Sequence, residues 1–268
     1  MSNFKPSGIV TMTTDFGHKG PFAGVMRGVM LSRFRDITIV DLAHDIPAHW
    51  PPEAGFWISR SYRHFPSGTV HIAIVDPGVG TERDIIAVEH DGHIFIAPDN
   101  GLLEPVIQLS DKPAVFSIDL DKLSSIGITD PSPTFHGRDI FSPVAAGLAA
   151  GTLGLSQVFV PATQWTPGWV SDAETSGGIV AGVVVSIDAF GNLITNIDGQ
   201  LLKDMADPIV RIAGHNLDVK VTYGRAEPGE FLALVNSFGV LEVARAEGSA
   251  ADGLGTERGA PVTVSQQV

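Results

Sequence analysis

The sequence predicts an α/β N-terminal domain with a mostly parallel central sheet, followed by an all-β, barrel-like C-terminal domain. Three observations predict it. In the first half, short β-rich runs alternate with amphipathic segments of helical period, the pattern of strands and helices layered around a sheet. A Pro-, Thr- and Gly-rich stretch with two tryptophans then runs from Pro161 to Gly177. Beyond it the chain is a series of short β-type runs punctuated by turns. The domains are therefore drawn at 1–165 and 178–268, with a linker at 166–177.

The elements follow in order. Ile9 to Thr14 reads as the first strand. After Pro21, at a plausible first helical position, Phe22, Val25, Met26, Val29 and Met30 recur at helical spacing, so a helix is expected to pack back on that strand. Ile37 to Leu42 is the second strand, and Pro51 and Pro52 open a second helix running to about His64. Thr69 to Val75 is the third strand. Ile85 to Glu89 and Ile94 to Ala97, joined by Asp91-Gly92-His93, predict a hairpin. A helix from Leu102 to Leu109, a strand from Ala114 to Ile118, an irregular excursion over 120–135 and a helix from Pro143 to Ala150 complete the first half. The second half supplies β-type runs at Ile179 to Ile187, Leu193 to Ile197, Ile209 to Ala213, Leu217 to Tyr223, Phe231 to Val235, Leu241 to Ala246 and Val262 to Val264.

Composition narrows the function. With 268 residues and 44% hydrophobic content the chain can bury a substantial core. Its most apolar run, Gly178 to Ile187, is far shorter than the roughly 20 residues a membrane helix needs, and the N-terminus lacks the basic and apolar regions of an export signal. The absence of cysteine excludes disulfides, thiolate metal sites and cysteine nucleophiles, and makes the cytoplasm the expected location. A formal charge of −13 repels polyanions, so neither nucleic acid nor a membrane is expected as a partner, whereas a small cation is easily accommodated.

Four segments place polar and glycine residues directly after apolar strands: TTDFG (13–17), DPGVG (76–80), APDNG (97–101) and FHGRD (135–139). In open α/β sheets ligands bind beyond the carboxyl ends of strands, so such segments can line one crevice. Taken singly, Asp15, Asp76 and Asp99 read equally as turn or capping residues. DPGVG matches neither a Walker loop nor the dinucleotide fingerprint, which disfavours phosphate cradling. The carboxylates near His136 are not at metal-ligand spacings, so no metal is expected.

In order along nearly the whole chain, TTDFG, DLAHDIP (41–47), FPSGTVHIAIVDPGVGTER (65–83), APDNGLL (97–103), FHGRDIFSPVAAGLAAG (135–151), IDAFGNLITNI (187–197) and NSFGVLEVA (236–244) resemble the S-adenosylmethionine hydroxide adenosyltransferases, relatives of the fluorinases and chlorinases. The resemblance implies the two-domain fold and a homotrimer, with S-adenosyl-L-methionine held between one subunit's N-domain and its neighbour's C-domain. It implies hydrolysis by attack of water on the ribose C5′, giving adenosine and methionine, with no cofactor. The catalytic set it implies falls on Asp76, Arg83 and His136. For substrate binding it implies Asp15 on the ribose hydroxyls, Asp188 and Asn192 on the methionine end with Phe190 packing nearby, and Asn236 and Ser237 approaching adenine through backbone groups. Asp188 reads also as a simple turn residue before Gly191.

The halogenating relatives have Tyr in place of the DPGVG aspartate, a Thr near the halide and no FHGRD histidine; the matching positions here are Asp76, Val79 and His136. A carboxylate repels halide and accepts a hydrogen bond from water, which favours hydrolysis over a chlorinase-like reaction. A non-catalytic binding protein would not need the intact Asp76, Arg83 and His136 set. The chain departs from the pattern at Gly20, where an acidic residue is customary, and at His49 and Trp50.

Overall fold

The computed structural model describes residues 4–266, and the chain divides into two compact units, one reaching to Trp169 and the other starting at Val170.

The first unit is built on seven strands, β1 (Ile9–Thr14), β2 (Thr38–Ala43), β3 (Val70–Ile74), β4 (Ile85–His90), β5 (His93–Pro98), β6 (Ala114–Ile118) and β7 (Phe159–Pro161), in the order β2-β1-β3-β5-β4-β6-β7. The expectation of a mostly parallel sheet describes only half of it. β2, β1, β3 and β5 pair in parallel, while β5, β4, β6 and β7 pair antiparallel, so the sheet is mixed. The physical reason is the β4–β5 hairpin, whose turn residues Asp91 and Gly92 both have positive φ, +48° and +76°. Such a turn reverses the chain in two residues and leaves no room for a crossover helix.

Among the described residues, five α-helices accompany the strands: α1 (Phe22–Arg33), α2 (Pro51–Ser61), α3 (Glu104–Ile107), α4 (Ser142–Ala150) and α5 (Leu155–Val158). Side-chain alternation on β3 decides what covers each face of the sheet. Val70, Ile72 and Ile74 enter one apolar cluster with Met26 and Met30 of α1 and Val144 of α4. Ala73, with the adjoining Val75, enters another with Ile58 of α2 and Val106 of α3. Both faces of the central strand are thus buried, which is why it reads as a largely apolar run interrupted only by His71, itself buried. The helical stripe on α1 is narrower than its spacing predicts: Ala23, Met26 and Met30 are buried, while Phe22 and Val25 are exposed.

The second unit is an antiparallel, nearly closed barrel-like sheet of β8 (Glu174–Ser176), β9 (Ile179–Ile187), β10 (Leu193–Asp198), β11 (Pro208–Ile212), β12 (His215–Asp218), β13 (Phe231–Val235), β14 (Val240–Arg245) and β15 (Pro261–Gln266), with one helix, α6 (Ala250–Leu254). Its order is β12-β11-β15-β9-β10-β14-β13, with β8 added on β9. A bridge between Val219 and Ala233 brings the two ends of the sheet together. Inward-facing Val180, Val184, Leu193, Val210, Val243 and Val264 form its core. The run expected from Leu217 to Tyr223 breaks early, and Tyr223 lies in a short 3-10 turn instead.

Candidate active site

Parallel pairing of β1 with β3, Thr14 opposite Ile74, brings the carboxyl ends of the two strands side by side. Asp15 follows the first and Asp76 the second, so the two carboxylates open onto one cavity of about 330 Å³. The FHGRD segment closes that cavity from a third direction. It leads into a wide, π-helical turn, Gly137–Phe141, ahead of α4, and presents Phe135 and His136. DPGVG approaches it closely because Gly80, at φ +78°, has no Cβ; one built there would stand 2.2 Å from the Pro133 carbonyl oxygen.

At the cavity wall, lined by Asp76 and His136, Arg83 joins the two, so the three residues expected to act together meet. Arg83 Nε lies 3.0 Å from each carboxylate oxygen of Asp76, and its Nη2 lies 2.5 Å from Oδ2. The pair is nearly enclosed, with side chains 10% and 6% exposed. The same Nη2 lies 3.0 Å from Nδ1 of His136. A guanidinium has no lone pair to offer, so Nδ1 accepts and the imidazole proton sits on Nε2. Burial, and after it the Arg83 charge, push the His136 pKa below its ordinary value, against the opposing pull of Asp76 and Asp139. The neutral imidazole is therefore the favoured form, with one N–H to donate.

Burial raises the Asp15 pKa, opposed by hydrogen bonds from its own backbone and that of His49, while the Asp76 charge adds to the rise. The remaining wall is apolar. Phe16, Phe22 and Phe135 form a mutually tilted trio with ring centroids 5.5–6.0 Å apart, and Ile74 and Val79 complete it. At the Gly20 departure, an added Cβ would meet Cδ2 of Phe22 at 2.9 Å, so the missing side chain leaves space for that ring.

The binding residues expected in the second half lie on the second unit. Asp188, Phe190 and Asn192 line a cavity of about 620 Å³ with Tyr223, Arg245 and Glu247. The Asp188 carboxylate organises its own turn, accepting from the N–H groups of Phe190 and Asn192 and from the Asn192 side chain at 2.9–3.0 Å. Phe190, 79% exposed, offers its ring outward. Asn236 is held inside a hairpin: its Oδ1 accepts from Phe238 and Val240, and its Nδ2 donates to the buried Glu242 at 3.1 Å. Ser237 lies in that turn. The two sets belong to different units, so the structure of each unit gathers its own half of the predicted residues.

Sequence reasoning missed the aromatic trio and Tyr223. Phe22 sits in a helical apolar pattern and reads as core; Tyr223 ends a β-type run and reads as strand. Tyr223 is fixed by a 2.6 Å hydrogen bond from its hydroxyl to Glu242. Only the burial of a lone Glu within the apolar run VLEVAR hints at a polar partner.

Comparison with known proteins gives the same partition. Residues 10–158 match the family model of the SAM hydroxide adenosyltransferase N-terminal domain, and residues 182–263 that of its C-terminal domain. A protein of Thermus thermophilus named (R)-S-adenosyl-L-methionine hydrolase is 34% identical, over 94% of this chain and 98% of the relative. One of the same name from Salinispora tropica is 32% identical, over 95% and 96%. A fluorinase of Actinopolyspora mzabensis is 26% identical, over 99% and 100%. The crystal structure of an uncharacterized conserved protein from Thermotoga maritima superposes with a TM-score of 0.85 at 30% identity, covering 96% of this chain and all of that one. Matches that span both units and nearly the full length, at this level of identity, show that the chain belongs to the SAM hydroxide adenosyltransferase family.

Proposed function

We propose that this protein hydrolyses S-adenosyl-L-methionine, in the (R)-sulfonium form that the relatives' names specify, to adenosine and L-methionine. The presence of Asp76 and His136 on one cavity beside Asp15, joined to each other through Arg83, carries the reading.

The sulfonium is already a good leaving group, so the reaction needs no metal, acid or cofactor to expel methionine. What it lacks is an aligned nucleophile. Water held opposite sulfur attacks C5′; the C–O bond forms as the C–S bond breaks, and the bonding pair passes to sulfur as a neutral thioether. Holding the partners in line can supply a large part of about 7–11 kcal/mol. Asp76, held in place by its two-pronged contact with Arg83, has lone pairs to orient that water and to receive its proton. His136, with its proton on Nε2, donates a hydrogen bond that holds the attacking water in line, and Arg83 couples it to Asp76. Because attack by hydroxide character on a cation annihilates charge, the phenylalanine wall favours the transition state by excluding water.

Asp15 takes the ribose hydroxyls, for which an ionised carboxylate is a two-fold acceptor. Asp188, Phe190 and Asn192 take the methionine end, and the turn at Asn236 and Ser237 takes adenine. Their placement on the second unit supports a homotrimer whose sites combine one subunit's first unit with a neighbour's second. Among the described residues no helix is long and apolar enough to cross a membrane, and the cysteine-free chain fits a cytoplasmic enzyme.

The test is product analysis with each sulfonium epimer in chloride buffer. Adenosine from the (R) epimer supports the proposal. Appearance of 5′-chloro-5′-deoxyadenosine would replace it with halide transfer, and binding of intact substrate without turnover would replace it with a binding protein.

A further inference from the structure

The DLAHDIP segment has no part in the chemistry above, yet it is wired to the cavity. β1 ends at Thr14, one residue before Asp15, and the Thr14 hydroxyl lies 2.8 Å from Nδ1 of His44. The other ring nitrogen, Nε2, lies 2.9 Å from Oδ1 of Asp41. Arg27 on α1 grips both oxygens of Asp41, through Nε at 3.1 Å and through Nη2. Since the Asp41 carboxylate only accepts, the His44 proton sits on Nε2 and Nδ1 accepts from Thr14. The Thr14 oxygen is then left to accept the Phe16 N–H at 3.3 Å.

The main chain repeats the attachment. Gly17 N–H donates to the His44 carbonyl at 2.8 Å, and Ile46 N–H to the Thr14 carbonyl at 3.3 Å. The same loop bonds Asp15 through the backbone of His49, which holds a positive φ of +64°. Non-glycine residues rarely adopt that conformation, and it persists only where its surroundings impose it. A histidine buried to 1% exposure is ordinarily a satisfied core group. This one differs in what it holds: the turn carrying Asp15 and Phe16, two walls of the cavity.

We propose that Asp41, His44 and Thr14 form a positioning relay that fixes the Asp15 carboxylate for the ribose hydroxyls, so that His44 sets nucleoside affinity without touching the ligand. The proposal rests on the reading that Asp15 takes the ribose.

Calorimetric binding of adenosine and of 2′,3′-dideoxyadenosine to the full-length protein tests it. Wild type binds adenosine more tightly. His44→Leu weakens adenosine about tenfold, the cost of a misplaced charged hydrogen bond, and leaves the dideoxy compound unchanged. His44→Asn, whose Oδ1 can accept the Thr14 hydroxyl, recovers most of the loss, and in turnover assays His44→Leu raises KM with little change in kcat. Thr14→Val, which removes only the hydroxyl, reproduces the His44→Leu selectivity and decides the matter if that variant fails to fold. Equal weakening of both nucleosides, or none, in Thr14→Val overturns the relay. A wild type that binds the two nucleosides equally overturns it together with the assignment of Asp15 to the ribose.

Discussion

Nη2 of Arg83 stands 3.0 Å from Nδ1 of His136 while the same guanidinium holds Asp76. One cation thereby fixes the position of an acid and the tautomer of an imidazole. Burial first, and Arg83 second, lower the His136 pKa, so the neutral ring persists below pH 6.5 and protonates only on further acidification. An NMR titration of the ring is expected to give a midpoint below 6.5, and Arg83→Met to move it upward. A midpoint above 6.5 in the wild type would contradict the arrangement.

Removing the imidazole separates chemistry from binding. His136→Ala is expected to lower kcat by about 100-fold, the scale on which a nucleophile displaced by about 1 Å loses rate, while substrate affinity changes little. Single-turnover kinetics with a parallel binding isotherm reads both. Unchanged turnover would remove His136 from the mechanism.

Gly80 tests the cavity's construction. Its positive φ and the 2.2 Å approach of the Pro133 carbonyl to an added Cβ leave Gly80→Ala two costs at once, strain and collision. A loss of about 1–3 kcal/mol in stability is expected. Because DPGVG and the 130–135 loop must part, kcat/KM is expected to fall further than the stability loss accounts for. Denaturant melts and steady-state assays on the same preparation check it.

The buried histidines give a stability signature. His71 is fully buried, bonded to the Thr11 hydroxyl at 2.8 Å and to His93 at 3.1 Å. Burial, then the His93 charge, push its pKa to about 3. The unfolded chain binds a proton near pH 6.5 that the folded chain refuses, so stability falls as pH drops from 6.5 toward 3. The slope from His71 is about 1.4 kcal/mol per pH unit. His93, also lowered by burial, acts in the same direction. Urea melts from pH 7 to 4 are expected to show a steeper acid loss in wild type than in His71→Leu; parallel curves would contradict it.

Strand positions were legible because a central strand buried on both faces writes itself as a largely apolar run, as 70–75 does around the one polar residue His71. The hairpin at Asp91-Gly92 was legible from its turn residues, but its effect on the sheet's direction was not, since pairing partners are set by distant chain. Asp76, Arg83 and His136 stand out only through ordered segments resembling a family; nothing in their spacing announces that a guanidinium spans acid and imidazole. Phe22 was hidden because an aromatic at helical spacing looks alike whether it faces core or cavity. Tyr223 was hidden because the partner that aims it, Glu242, is 19 residues away.

Hydrolysis in water enriched in oxygen-18 tests the central claim most directly. Attack by water on C5′, oriented by Asp76, places the label in the 5′-hydroxyl of adenosine and none in methionine. Unlabelled adenosine, or a product such as methylthioadenosine cleaved at another carbon, would contradict it.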